Sequence, residues 1–175
     1  LINALLSLSR EGQRKFHPQL IDMSQLLQSN VDALAYQAQA ANAKISIGAL
    51  PAITSDRLAL EQVFSNLIDN ALKYLRTGVA GSIEVNATES QNAITYAVRD
   101  NGRGIHLKDR ERIFDLFRRS GAQDRPGEGI GLAHARALVR RLGGSIQVES
   151  ELHQGTVFTV TLPKKWPQTA SEIAA

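Results

Sequence analysis

The chain has 175 residues, 43% of them hydrophobic, enough for one full domain with its own core plus small appendages. With 20 basic and 17 acidic residues of mixed order, a net charge of +3 and no dense basic run, nucleic acid is not an expected partner. The lack of cysteine excludes a disulfide framework and a thiolate metal site, and no apolar run reaches the ~18 residues of a membrane span.

Residues 1–9 are apolar and helical in propensity but too short to be stable alone, and read as the end of a longer helix packed elsewhere. Glu11, Gly12, Arg14 and Lys15 read as a linker. Because the sequence opens at Leu1, inside an apolar pattern, it is expected to be a fragment of a longer protein. Residues 16–21 can form a short strand that Pro18 restricts to an edge. Asp22 or Ser24 can cap a helix running to about residue 42, with Leu26, Leu27, Val31, Leu34 and Ala38 on its apolar face. Residues 44–50 alternate and predict a strand that Pro51 ends.

Ser55 or Asp56 caps the helix around which the rest is organised. Leu60, Val63, Phe64, Leu67, Ile68, Ala71, Leu72 and Leu75 give it a wide apolar face. Asn66, Asn70 and Lys73 lie along one edge of that face, where two amides and an amine are costly without partners. An amide offers a neutral oxygen to a hard cation, and Lys a point charge to a phosphate.

Gly78 and Gly81 make the next turn. Residues 82–88 and 93–98 alternate on either side of a polar gap and predict a hairpin. Residues 108–117 predict a short helix, and 118–128 a polar loop rich in Gly and Pro. Residues 129–142 are helical until Gly143-Gly144 stops them. Residues 145–151 and 156–162 predict a second hairpin around Gln154-Gly155, and 164–175 a loose tail. Helices placed between antiparallel hairpins predict an α+β fold, a mixed sheet covered by helices on one face with the other partly open.

Three further segments carry unusual residues. Asp100-Asn101-Gly102-Arg103-Gly104-Ile105 follows a strand directly, and its spaced glycines allow close backbone approach. Gly127, Gly129 and Gly131 open a helix, whose free N–H groups suit a phosphate. The spacing is not that of a Walker A loop, and the lack of a directly preceding strand disfavours a dinucleotide fingerprint. Gly155-Thr156 sits at the last hairpin turn.

In this order the segments resemble the catalytic, ATP-binding domain of bacterial sensor histidine kinases, within the gyrase, chaperone, histidine kinase and MutL superfamily. Residues 66–74 are similar to its Asn box, 100–105 to its first glycine box, Phe114 and Phe117 to its Phe box, 127–132 to its second glycine box, and Gly155-Thr156 to its last glycine motif. The match covers about residues 16–163. The resemblance implies a two-layer α/β sandwich of Bergerat type, with nucleotide held between sheet, helices and a mobile lid over 118–128. It also implies three parts: residues 1–13 as the end of a dimerisation domain plus linker, 14–163 as the catalytic domain, and 164–175 as the tail.

The same resemblance implies roles. Asn70 would give its oxygen to Mg²⁺ with Asn66 in support, and Lys73 and Tyr74 would line the phosphate and ribose. Asp100, assisted by Thr156, would accept from the adenine amine, with Gly102, Gly104 and Ile105 close to the base. Gly127, Gly129, Gly131 and the N–H of Leu132 would cradle phosphates, and Arg119 would reach the γ-phosphate. Asn66, Lys73 and Arg119 would thus be catalytic, and the activity would be transfer of the γ-phosphoryl of ATP to a histidine. That acceptor would lie on a homodimeric dimerisation domain, which would pass the phosphoryl to a response regulator. A cytoplasmic place is implied, in a parent that can be membrane-anchored.

The chain departs from the family pattern in that none of His17, His106, His134 and His153 has the sequence context of an acceptor. Two alternatives within the superfamily are an ATP-hydrolysing clamp of gyrase or MutL type and a serine kinase. The clamp enzymes carry a Glu four residues before the metal-binding Asn. Here that position is Asn66, whose amide cannot take a proton, and Glu61 is expected on the opposite helix edge.

Overall fold

The computed structural model describes residues 14–115 and 129–166. Strand β1 (Pro18–Ile21) starts at its proline, as an edge strand permits. It pairs antiparallel with β3 (Ile53–Asp56), from Pro18 opposite Asp56 to Ile21 opposite Ile53. The sequence pattern missed β3, because only four residues separate Pro51-Ala52 from the next helix and their strand character comes from the pairing with β1.

Asp22 accepts a hydrogen bond from the Gln25 N–H and caps α1 (Met23–Ala33). The single helix expected to residue 42 is two. Leu34 (φ −100°, ψ 8°) breaks it, sharing its N–H between the carbonyls of Asn30 and Val31 at 3.2 and 3.1 Å, and α2 (Ala35–Ala40) follows. Leu34 stays in the core while no residue of α2 is fully buried, so no apolar face holds those residues in line with α1. Strand β2 (Ala43–Ile47) comes next.

Asp56 caps α3 (Arg57–Lys73), its carboxylate accepting from the Ala59 N–H at 2.8 Å. The same carboxylate accepts from the His17 N–H at 2.8 Å and from both terminal nitrogens of Arg14 at 2.6 and 3.1 Å. Burial raises the Asp56 pKa, but the Arg14 guanidinium and the two backbone N–H groups outweigh it and hold the carboxyl below its ordinary value. Every member of the predicted apolar stripe on α3 is buried, as is Leu75 just beyond its end.

Strands β4 (Gly81–Glu89) and β5 (Ala93–Asp100) form the first predicted hairpin. The short helix expected over 108–117 is instead two 3₁₀ turns, Leu107–Asp109 and Arg112–Phe114, the second burying Ile113 and Phe114. Helix α4 (Gly131–Arg141) leads to the second hairpin, β6 (Ser145–Glu151) and β7 (Gly155–Pro163). The five-stranded sheet has the order β2-β4-β5-β7-β6, and only its β2–β4 pair is parallel.

Helices α1, α3 and α4 form the second layer, with α3 packed against both others and against the sheet. The core lies between the α3 stripe and Ile83, Val85, Tyr96, Val98, Phe158 and Val160. Phe64 meets the ring of Tyr96 edge-on at 5.6 Å, and the Tyr96 hydroxyl donates to the Pro51 carbonyl at 3.0 Å. The other sheet face is polar: Arg99 is exposed, and the Thr95 and Thr161 hydroxyls bond at 3.1 Å. This is the mixed sheet with one covered face that the element order predicts.

The tail expected from residue 164 begins attached. Lys164 pairs with Glu89 at 2.6 Å, and Trp166 meets Phe16 edge-on at 6.1 Å. The guanidinium of Arg141 lies 4.1 Å from the Phe16 ring centre. The expectations for residues 1–13, for Phe117, Arg119, Gly127 and the lid, and for 167–175 lie outside the described residues.

Candidate functional site

The site begins at one end of the sheet. Antiparallel pairing sets Asp100, the last residue of β5, opposite Thr156 on β7, and Thr156 opposite Ser150 on β6. Directly opposed residues share a face, so the three side chains form one cross-strand row. The next row on that face is Val98, Phe158 and Val148, which places the polar row on the helix-covered side. All three polar residues are buried, at 7%, 6% and 7% exposure for Asp100, Thr156 and Ser150.

Asp100 accepts from the Gly102 N–H at 2.8 Å and from the backbone of Thr156. Burial pushes its carboxyl up to about 6, with the two backbone hydrogen bonds opposing the shift. A buried carboxylate at a strand end, partly satisfied by N–H donors, retains acceptor capacity for a donor on a ligand.

The turn after Asp100 is tied down from three sides. The Arg103 N–H donates to the Tyr74 carbonyl at 2.9 Å, just past the end of α3, and the Arg103 guanidinium lies 4.4 Å from the Tyr74 ring centre. A Cβ on Gly102 would stand 2.5 Å from the Tyr74 carbonyl oxygen, and one on Gly104 (φ +71°) would fall on the Glu151 carbonyl oxygen. Both positions therefore require glycine. Ile105 donates its N–H to the Ser150 hydroxyl at 2.8 Å. Asn101 accepts from the Ser82 N–H and donates to the Ala80 carbonyl, each at 2.9 Å. Arg76 bridges the Asn101 and His153 carbonyls at 3.0 and 2.9 Å.

From this turn the site runs back along α3. Tyr74 touches Gly102, Asn70 stands one turn earlier, and Asn66 one turn earlier again. Asn66 meets the start of α4, where a Cβ on Gly131 would lie 3.3 Å from its Oδ1. At the rise of an α-helix, residues 66 to 74 cover about 12 Å. Both asparagines are half-buried, and among the described residues neither side-chain amide takes a hydrogen bond. Lys73 is on the same stretch, but its ammonium is engaged by Asp69 at 2.6 Å.

Helix α4 opens without a side-chain cap, following Gly129 (φ +70°) and Ile130. Among the described residues the bond at its start runs from the His134 N–H to the Ile130 carbonyl, so the N–H groups of Gly131 and half-buried Leu132 lie ahead of it, in the turn where a helix leaves its donors free. Beside Asn66 is a polar cleft of about 400 Å³ lined by Asn30, Glu61, Gln62, Ser65, Asn66 and His134. Glu61 also borders this cleft, and its carboxylate is bonded to Arg57 at 2.9 Å.

Residues 55–165 match the family described as "Histidine kinase-, DNA gyrase B-, and HSP90-like ATPase". The chain belongs to this family. Among its relatives, the heme sensor protein HssS of Staphylococcus saprophyticus is 41% identical over 112 residues, 64% of this chain and 24% of that protein. Cyanobacterial phytochrome B of Nostoc is 36% identical over 166 residues, 93% of this chain and 22% of that protein. The crystal structure of full-length ShkA in complex with AMPPNP superposes with a TM-score of 0.81 at 27% identity, covering 95% of this chain and 35% of that one. The chain thus spans about a quarter of the length of the curated relatives it matches, or less. The observed mixed sheet with its helical layer is the fold of the family's histidine kinase catalytic domains.

Within this family fold, Tyr74, Asp100, Gly102 and Thr156 meet at the end of the sheet beside Gly104 and Ile105, Asn66 meets Gly131 at the start of α4 next to Gly129 and Leu132, and Asn70 and Lys73 lie between on α3. Sequence reasoning missed Ser150 and Arg76, and held Asn101 only as a member of the 100–105 segment. Ser150 did carry a signal, a polar residue at an inward position after Ile146 and Val148 on an alternating strand. Arg76 carried none, because its partners are backbone carbonyls distant in sequence.

Proposed function

We propose that this chain is the ATP-binding catalytic domain of a two-component sensor histidine kinase, which transfers the γ-phosphoryl of ATP to a histidine on a dimerisation domain of its parent. The observation that carries the reading is a pairing of two features at the two ends of the α3 stretch from Asn66 to Tyr74. A buried acceptor row, Asp100 and Thr156, closes one end, and the amides of Asn70 and Asn66 line the α3 wall one and two turns away.

Asp100 accepts from the exocyclic amine of adenine, and Gly102 and Gly104 with Ile105 let the backbone lie close to the base. Asn70, with Asn66, presents an amide oxygen to Mg²⁺. The half-buried amides of Asn70 and Asn66 take no hydrogen bond among the described residues, so they would hold such an ion together with phosphate and water, and the ion would supply charge neutralisation to the phosphates. Tyr74 lines the ribose, and Lys73 reaches a phosphate by sharing its ammonium with Asp69. The uncapped start of α4, from Gly129 through Gly131 to Leu132, offers N–H groups to the phosphates, together with Gly127 and Arg119.

Positioning and charge neutralisation are what phosphoryl transfer asks of a protein. The Asn66 amide cannot serve as a base for water, which favours transfer over hydrolysis. The partners are the parent's own dimerisation and phosphoacceptor domain, in a homodimer, and a downstream response regulator. The domain is cytoplasmic in this reading, whether or not the parent is anchored; among the described residues no helix is long and apolar enough to cross a membrane.

Calorimetry with Mg²⁺ and a non-hydrolysable ATP analogue tests binding. Asp100→Asn is expected to lower affinity about 100-fold, the scale of a lost hydrogen bond to a charged group together with an amide N–H facing a donor. Transfer is tested by supplying the parent's dimerisation domain with labelled ATP. Label belongs on that domain, and label on His17, His106, His134 or His153 refutes the reading.

A further inference from the structure

Two oxygen atoms and one nitrogen meet at the Ser150 hydroxyl. Its oxygen lies 2.8 Å from the Ile105 nitrogen, 2.8 Å from the Gly155 carbonyl oxygen and 2.9 Å from the Thr156 hydroxyl oxygen. A serine hydroxyl has one proton and two lone pairs. The Gly155 carbonyl can only accept, so it takes the Ser150 proton. The Ile105 N–H can only donate, so it takes one lone pair. The last lone pair is left for Thr156, whose hydroxyl must therefore donate to Ser150. Distance alone leaves the direction of the Ser150–Thr156 bond open, and hydrogen accounting closes it.

The consequence falls on the neighbouring residue. With its proton committed, Thr156 has only lone pairs to offer, and it stands directly opposite Asp100, whose carboxylate is also an acceptor. We propose that Ser150 is a positioning residue for base selection. By holding the Thr156 proton it turns the Asp100–Thr156 pair into two fixed acceptors that admit a 6-aminopurine and reject a 6-oxopurine. This rests on the reading of these residues as a nucleotide site. A free threonine hydroxyl would rotate to donate to a 6-oxo group and blunt the choice. A buried hydroxyl whose three bonds are all made to fixed partners does not rotate.

The same hydroxyl joins three segments, β6, the start of β7 and the turn carrying Gly102 and Gly104. A purely structural role is therefore the rival, and the test must separate the two. ATP and ITP, which differ only at the 6-position and the adjacent ring nitrogen, are titrated with Mg²⁺ into the whole chain by calorimetry. Wild type is expected to prefer ATP strongly. In Ser150→Ala the ATP-to-ITP affinity ratio is expected to fall about tenfold, the scale of one buried hydrogen bond gained by the wrong base. Ser150→Thr, which keeps the hydroxyl, is expected to retain the wild-type ratio.

If Ser150→Ala weakens both nucleotides equally and leaves the ratio alone, Ser150 is only a structural tie and the inference is overturned. If wild type binds neither nucleotide, the nucleotide reading itself fails, and the inference falls with it. Should Ser150→Ala not fold, Thr156→Val decides. A drop in ATP affinity with ITP affinity held or raised supports a fixed acceptor at Thr156. A greater loss for ITP means that Thr156 donates into the site, and overturns it.

Discussion

The two ends of the proposed nucleotide site are built differently. At the sheet end, Asp100, Ser150, Thr156 and the turn through Gly104 spend their hydrogen bonds on one another and on backbone, and the turn is pinned to α3, β4 and the β6–β7 connection. Along α3 toward Gly131, the asparagine amides take no hydrogen bond among the described residues, and α4 begins uncapped. The first end is shaped by the fold before any ligand arrives. The second, in the proposed site, leaves its asparagine amides for a ligand to satisfy, while Lys73 is engaged by Asp69. A recognition pocket gains from fixed geometry, because a mispaired base then meets an unpaired buried acceptor. A phosphate and cation site gains from groups that hold no competing internal bonds.

If that contrast is right, the largest effect comes from disturbing the pinned turn. Gly104→Ala combines a positive φ with a Cβ on the Glu151 carbonyl, and should cost more than about 3 kcal/mol of unfolding free energy in a denaturant titration. A loss below 1 kcal/mol would mean the turn is loose and the contrast is mistaken.

Next in size is the Asp100 carboxyl. Its folded value of about 6 stands above the ordinary 3.8, so its contribution to stability is fully present below 3.8 and is lost as pH climbs through 6. The loss approaches roughly 3 kcal/mol at pH 7, at about 1.4 kcal/mol per unit. Affinity for ATP should move the other way, weakening as pH falls below about 6 and the acceptor is protonated. The difference in unfolding free energy between wild type and Asp100→Asn isolates the stability term from other carboxyls. Parallel curves for the two proteins from pH 4 to 7 would remove it.

Smaller effects belong to the α3 end. Asn70→Ala should leave stability within about 0.5 kcal/mol, because the amide takes no hydrogen bond among the described residues, while Mg²⁺-dependent ATP affinity falls about tenfold. Equal loss with and without Mg²⁺ would take the cation away from Asn70. Smallest of all, Gly131→Ala meets only the tip of the Asn66 side chain at 3.3 Å and should cost less than about 1 kcal/mol. A cost matching that of Gly104→Ala would erase the distinction between the two ends.

Much of this molecule was legible residue by residue. The period of the α3 stripe, the Asp22 and Asp56 caps, the two hairpins and the glycine stop after α4 are local patterns, and local backbone physics reads them the same way in any context. The order of the glycine and asparagine motifs was equally local and pointed to the family. What tertiary structure decided was whatever depends on a partner distant in the chain. Strand β3 exists because β1 lies beside it, and the parallel β2–β4 pair exists because α3 carries the chain back across the sheet. The helix break at Leu34 follows from the core keeping Leu34 and releasing α2. Ser150 acts on Thr156 only because pairing lays Ser150, Thr156 and Asp100 in one row. A hydroxyl in a strand carries no direction in the sequence. Its proton is assigned by neighbours that only the folded sheet supplies.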